Sequence, residues 1–215
     1  MGTPLFAPWT NTAVKLAAAA LATAFASCLG GLMIYVRTPY VTDQLAEIDQ
    51  PIEFDHRHHV ADCEIDCLYC HREAETAPTA GLPATEICMG CHGQVGPESP
   101  LLAPVRASYF EGRPIRWNRV HDLPDFVFFD HAAHLHAGGA CAECHGQVER
   151  MARVLQVAPL TMGWCLDCHR NPDRYRTEES RLPRTTWGAT VENLTADWPR
   201  DRAITQLTTC TACHR

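Results

Sequence analysis

Five copies of Cys-x-x-Cys-His punctuate this chain of 215 residues: Cys67/Cys70/His71, Cys88/Cys91/His92, Cys141/Cys144/His145, Cys165/Cys168/His169 and Cys210/Cys213/His214. Nothing else in the sequence limits the fold as much. Ten of the twelve cysteines fall in these motifs, leaving Cys28 and Cys63. That many cysteines would otherwise read as disulfides or zinc sites, and neither explains why a histidine follows every pair. The pattern is the attachment signature of c-type haem. Two thiols add across the porphyrin vinyl groups, and the next residue offers an imidazole to the iron. Five motifs predict five covalently bound haem c groups, with His71, His92, His145, His169 and His214 as the proximal iron ligands.

The motifs sit in a duplicated unit. Phe54, His56 and His59 form F-x-H-x-x-H, and Phe129, His131 and His134 repeat it at an offset of 75. Cys67 matches Cys141 at an offset of 74, and Cys88 matches Cys165 at 77. An internal repeat of this kind governs any reading of the fold. Seven histidines lie outside the motifs, and the repeat selects four of them, His56, His59, His131 and His134, as distal ligands. His58 and His136 align with alanines and are expected not to ligate. His121 is then the fifth distal candidate. Its rival is Met162, three residues before Cys165, which as a ligand would raise the potential of its haem.

The predicted fold class follows: a small, loop-rich multihaem cytochrome c, mostly short helices and coil around covalently bound haems, with one N-terminal transmembrane helix. Residues 41–215 are rich in Pro, Gly and Arg and show few long apolar periods. So small a core needs covalent staples, and five macrocycles supply them. The haem-free chain is therefore expected not to fold. Charge excludes one class of partner. Residues 1–40 hold no acid and two bases, Lys15 and Arg37, so the remainder carries 25 acids against 16 bases. Nucleic acid is not expected on so acidic a surface.

Along the chain, residues 1–12 form a polar lead and 13–37 an anchor. Leu16 to Val36 is uncharged over twenty-one residues, enough to span a bilayer as a helix, with Tyr35 and Tyr40 suited to the interface. A cleaved signal peptide would have a shorter apolar core, whereas this run continues eight residues past Cys28. Cys28 reads as a small apolar residue of the span. Haem c is attached outside the cytoplasm. The expected topology is therefore a cytoplasmic N-terminus, a single pass of the bacterial cytoplasmic membrane, and a haem domain on the periplasmic side. Residues 38–52 read as a tether, 53–95 as a first dihaem module with Cys63 as a buried free thiol, and 96–120 as a linker. Arg106, Arg113, Arg116 and Arg119 in that linker offer forks for haem propionates or simply a solvated surface. Residues 121–170 form the second dihaem module, with a short strand expected at Val127–Phe129 and a helix after Cys144. Residues 171–215 are a C-terminal extension carrying the fifth haem.

An iron with both axial positions filled has no place for a substrate and only takes up and passes on electrons. F-x-H-x-x-H followed by two Cys-x-x-Cys-His motifs resembles the small multihaem cytochromes of the c7 and c3 type. That resemblance implies that His56 serves the Cys67/Cys70 haem and His131 the Cys141/Cys144 haem, while His59 and His134 reach over to other haems. Taken with the anchor, WNRVHDLPDFVFFDH, MGWCLDCHR and the terminal CTACHR, the chain resembles the pentahaem, membrane-anchored cytochrome c subunit of alternative complex III, a bacterial quinol:acceptor oxidoreductase. This implies an iron–sulfur subunit, polytopic quinol-binding subunits and often a monohaem cytochrome as partners, with a soluble carrier or an oxidase as acceptor. No catalytic residue is implied in this subunit. Two other readings remain: a stand-alone membrane-anchored quinol dehydrogenase, and a multihaem reductase with one open haem.

Overall fold

The computed structural model describes residues 6–137, 139–171 and 205–214. Two compact units divide the chain, residues 1–44 and 45–215. The first is built on helix α1, Thr10–Tyr35, whose Ala-rich run favours helix. Its 26 residues, with a mean hydropathy of 1.9, make it long and apolar enough to cross a membrane. Arg37 ends it by donating to the Met33 carbonyl at 2.6 Å, which satisfies a terminal acceptor. A short helix α2 follows, Pro39–Thr42, with proline in its first position.

The second unit is helix and coil, with no strand among the described residues. Four motif positions lie on helices that contain both cysteines and the two sides of the repeat share them: α3, Cys67–Cys70; α4, Thr85–His92; α7, Cys141–His145; and α8, Met162–Arg170. Between α4 and the second repeat come α5, Ala103–Glu111, and then α6, His131–His136. The fifth motif forms α9, Cys210–Cys213. One helical turn suits the chemistry, because residues three apart share a face. Asp66 and Thr161 cap α3 and α8 by accepting from the Leu68 and Trp164 amides.

Each F-x-H-x-x-H also winds into a turn, but the two turns differ. In the second repeat it is α6, capped by Asp130, which accepts from the Ala133 amide at 3.1 Å. In the first it is a π-helical turn, Arg57–Asp62. The sequence explains the difference: Cys67 lies eight positions after His59, but Cys141 lies seven after His134. The wider turn takes up the inserted residue and keeps both histidines facing the same way.

Several local expectations need correction. Residues Val127–Phe129 form no strand; Val127 makes one antiparallel bridge to His214, and the Phe128 amide donates to the Cys213 carbonyl at 2.8 Å. The helix begun at Cys141 ends at His145 rather than continuing: Gly146 takes φ 70°, and a single 3-10 turn, Val148–Arg150, follows. A Cβ on Gly146 would lie 2.7 Å from Val157 Cγ2. Gly146→Ala should therefore cost more than about 1 kcal/mol, read as a lowered thermal midpoint of the haem-loaded protein. Cys63 is exposed rather than buried.

The linker region is ordered. Helix α5 packs on α4, burying Val105 and Ser108, and Thr85 Oγ1 meets Ser108 Oγ at 2.8 Å. Arg106 donates to the Pro97 and Ser99 carbonyls and Arg119 pairs with Asp122, so both guanidinium groups engage the protein itself. The tether after residue 44 is held too. Leu45 donates to the Gln156 carbonyl, Gln50 exchanges bonds with Asn118, and Arg153 bridges Asp49 and Glu53.

The apolar core is thin. Among the described residues the buried hydrophobic side chains are Ile52, Ala74, Val105, Ala140 and Ala158. Helices of four to nine residues cannot present a long apolar stripe. Most of the expected C-terminal extension, residues 172–204, lies outside the described residues.

Candidate haem-binding centres

The aromatic residue of F-x-H-x-x-H sets both histidines. Phe54 stacks on His59 at 4.3 Å and 23° and meets His56 edge-on at 4.7 Å and 82°. Phe129 does the same to His134, at 4.2 Å and 26°, and to His131, at 4.8 Å and 88°. The duplicated sequence thus yields duplicated geometry. A one-residue difference in turn type does not disturb it.

These histidines face motif histidines. Ring centroids are 6.1 Å apart for His59 and His92, 6.3 Å for His131 and His145, and 5.9 Å for His134 and His169. A metal about 2 Å from a nitrogen of each ring places the centroids roughly 6 Å apart, so the spacing fits an iron between them. His56 lies near His71, whose charge helps lower its pKa. Among the described residues, no three or more His, Cys, Asp or Glu side chains converge as the ligands of a bare ion would.

The second ring nitrogen tells the same story. Nδ1 donates to a backbone carbonyl in six of these histidines: His59 to Asp55 at 2.9 Å, His71 to Gly81 at 2.8 Å, His92 to Val95 at 3.0 Å, His131 to Pro78 at 2.8 Å, His134 to Asp130 at 2.7 Å and His214 to Phe126 at 3.2 Å. A carbonyl only accepts, so Nδ1 carries the proton and Nε2 keeps its lone pair for a metal. Residue types hold no sign of these six acceptors, because a backbone carbonyl has no residue signature. The buried Nδ1 of His56 has no hydrogen-bond partner among the described residues.

His145 differs from the six. Its Nδ1 lies 3.2 Å from His121 Nε2, with the rings 4.3 Å apart. His121 is thus placed against the proximal imidazole of another motif, and no ring contact joins it to His214 among the described residues. Met162 begins α8 and is 67% exposed. The two histidines expected not to ligate are occupied elsewhere: His58 meets Asp62 at 3.3 Å, and His136 uses Nε2 to reach the Glu75 carbonyl at 3.2 Å.

Burial disfavours the charged form of five of these imidazoles, and ligation needs the neutral form. It pushes His145 down to about 3, helped by His121 and His131, and His56 down to about 4, helped by His71 and His59. His134, His169 and His121 are lowered for the same reason. Burial also raises the thiols of Cys70, Cys88 and Cys165, and pushes Cys144 up to about 11.

Comparison with known proteins agrees with this geometry. Residues 127–215 match the family described as cytochrome c7 and related cytochrome c. A curated relative, the menaquinone reductase, multiheme cytochrome c subunit of Nitratidesulfovibrio vulgaris (strain Hildenborough), is 41% identical over 103 residues, 47% of this chain and 48% of that protein. The match thus spans about half the length of the relative. The stretch 127–215 is thus similar to the multihaem cytochromes of the c7 kind, whose haem c is bound covalently, and it lies in a unit of short helices and coil; one apolar helix long enough to span a membrane precedes that unit in the sequence.

Proposed function

We propose that this chain is the membrane-anchored electron conduit of a quinone-linked oxidoreductase complex and carries five covalent haem c groups. The observation that carries the reading is the set of facing imidazoles about 6 Å apart, most with Nδ1 committed to a carbonyl. We assign the axial pairs His56 with His71, His59 with His92, His131 with His145, and His134 with His169. His214 holds the fifth iron, and His121 and Met162 are the two side chains proposed for its other face. The bound haems supply reversible one-electron transfer. The chain fixes ligand orientation, keeps the imidazoles neutral and closes the irons to substrate.

The anchor α1 supports attachment to the cytoplasmic membrane, with the haem domain on the periplasmic side. The relative is named a menaquinone reductase subunit, which supports a multi-subunit quinone-linked setting. The shared runs noted above favour the finer reading of an alternative complex III subunit. Electrons would then arrive from quinol-oxidising and iron–sulfur partners and leave to a periplasmic carrier or an oxidase. A closed row of haems conducts in either direction, so the relative's name favours a second reading in which the same row delivers electrons towards menaquinone. The test is a purified complex given menaquinol in one experiment and pre-reduced haems plus menaquinone in another. Faster haem reduction in the first supports the quinol-oxidising reading, and faster haem oxidation in the second supports the reverse.

A spectrum of the isolated subunit checks the conduit role. Four of the haems are expected to be low-spin with two nitrogen ligands, and the native reduced protein is expected not to bind carbon monoxide. A sulfur-to-iron charge-transfer band would assign the fifth iron to Met162. Ready binding of carbon monoxide would instead favour an open-haem reductase.

A further inference from the structure

The two copies of the repeat pack on each other in an informative way. Helix α6 of the second copy packs on the turn Arg72–Glu75, which directly follows His71 of the first. The π-helical turn of the first copy, the counterpart of α6, packs on Val148–Arg150, which follows His145 of the second. Each copy therefore gives the other the same pair of surfaces. The bonds are specific on one side: the His131 amide and Nδ1 both donate to the Pro78 carbonyl, at 3.1 and 2.8 Å, and His136 Nε2 reaches Glu75. Copies stacked head to tail would make one of these contacts but not its reverse. Mutual exchange of the same surfaces marks a two-fold relation.

We infer that the duplicated halves face each other across a pseudo-two-fold axis, so that the haem of Cys67/Cys70 and the haem of Cys141/Cys144 are neighbours at the centre of the row, with those of Cys88/Cys91 and Cys165/Cys168 outside them and that of Cys210/Cys213 beyond the latter. The inference rests on the proposal that the motifs hold haem. The order along the row is then second, first, third, fourth, fifth motif, which is not the order of the sequence.

Sulfur neighbours agree with this order. Cys67 and Cys141 are equivalent residues, and their side chains lie against each other. A residue touches its own counterpart only near a symmetry axis. Beyond that contact, Cys70 lies near Cys88 and Cys91, as Cys144 lies near Cys168 and Cys165. Cys165 lies near Cys213. The fifth motif is also seated on the second copy through the Val127–His214 bridge and the bond from His214 Nδ1 to the Phe126 carbonyl. The symmetry is not complete, since His131 Nδ1 has the Pro78 carbonyl and buried His56 Nδ1 has no partner among the described residues.

Iron positions in the haem-loaded full chain, located by anomalous scattering at the iron edge, test the order. The expected map has the shortest iron–iron step between the halves joining the first and third motifs, and a rotation near half a turn exchanging the two pairs. A shortest step between the second and third motifs overturns the inference but leaves the haem reading intact. A map without iron at these motifs overturns both. In solution, His71→Met raises the potential of one haem and keeps it attached. Stepwise oxidation followed by haem-methyl resonances should then show the haems of Cys88/Cys91 and Cys141/Cys144 responding, and those of Cys165/Cys168 and Cys210/Cys213 not. A response confined to the haem of Cys88/Cys91 overturns the proposed order.

Discussion

Replacing His134 with alanine should turn one low-spin haem of this protein high-spin and open it to carbon monoxide. His134 is the best supported of the proposed distal ligands. Its ring faces His169 at 5.9 Å, its Nδ1 donates to the Asp130 carbonyl at 2.7 Å, and Phe129 stacks on it at 4.2 Å. Asp130 also caps α6, so the residue that orients the imidazole also starts the helix that carries it. Removing the imidazole takes away one axial nitrogen and leaves a cavity beside the iron. The thioethers of Cys165 and Cys168 and the proximal His169 should still hold the haem. The expected result is a high-spin signal from one haem in a set of five, by electron paramagnetic resonance, with the remainder unchanged. A wholly low-spin spectrum would show that His134 does not ligate.

The second large effect concerns folding. A chain with the motif cysteines replaced by serine (Cys67→Ser and its nine counterparts) should not fold in residues 45–215. The buried hydrophobic side chains are three alanines, one valine and one isoleucine among the described residues. Ordering the backbone costs about 1–2 kcal/mol per residue, which so little apolar burial cannot offset. In the proposed haem-loaded protein the macrocycles would provide the missing apolar surface, each tethered by two thioethers. Circular dichroism of the serine variant should show little helix beyond that of α1, and no cooperative thermal transition. A cooperative transition at ordinary temperatures would mean that the polypeptide packs without its cofactors.

Much of this was readable from residue types. Covalent attachment demands cysteine at fixed spacing, and ligation demands histidine, so these sites are written in side chains. The repeat exposed His56, His59, His131 and His134 for the same reason. What escaped was set by backbone and by partners distant in sequence. The carbonyls of Gly81, Val95 and Pro78 act through atoms that every residue carries. The helix expected after Cys144 had suitable spacing, but Gly146 takes a left-handed conformation and stops it. The place of His121 depends on contact with His145 from 24 residues away, which counting histidines does not reveal.

The bonds from imidazole Nδ1 to backbone carbonyls have a bearing on energy conservation. An amide oxygen is far too weak a base to take the ring proton when the iron changes charge, so each such hydrogen stays where it is through the redox cycle. Electron transfer through the proposed centres would then move no proton at these six imidazoles, and their own share of any dependence of potential on acidity should be small near neutrality.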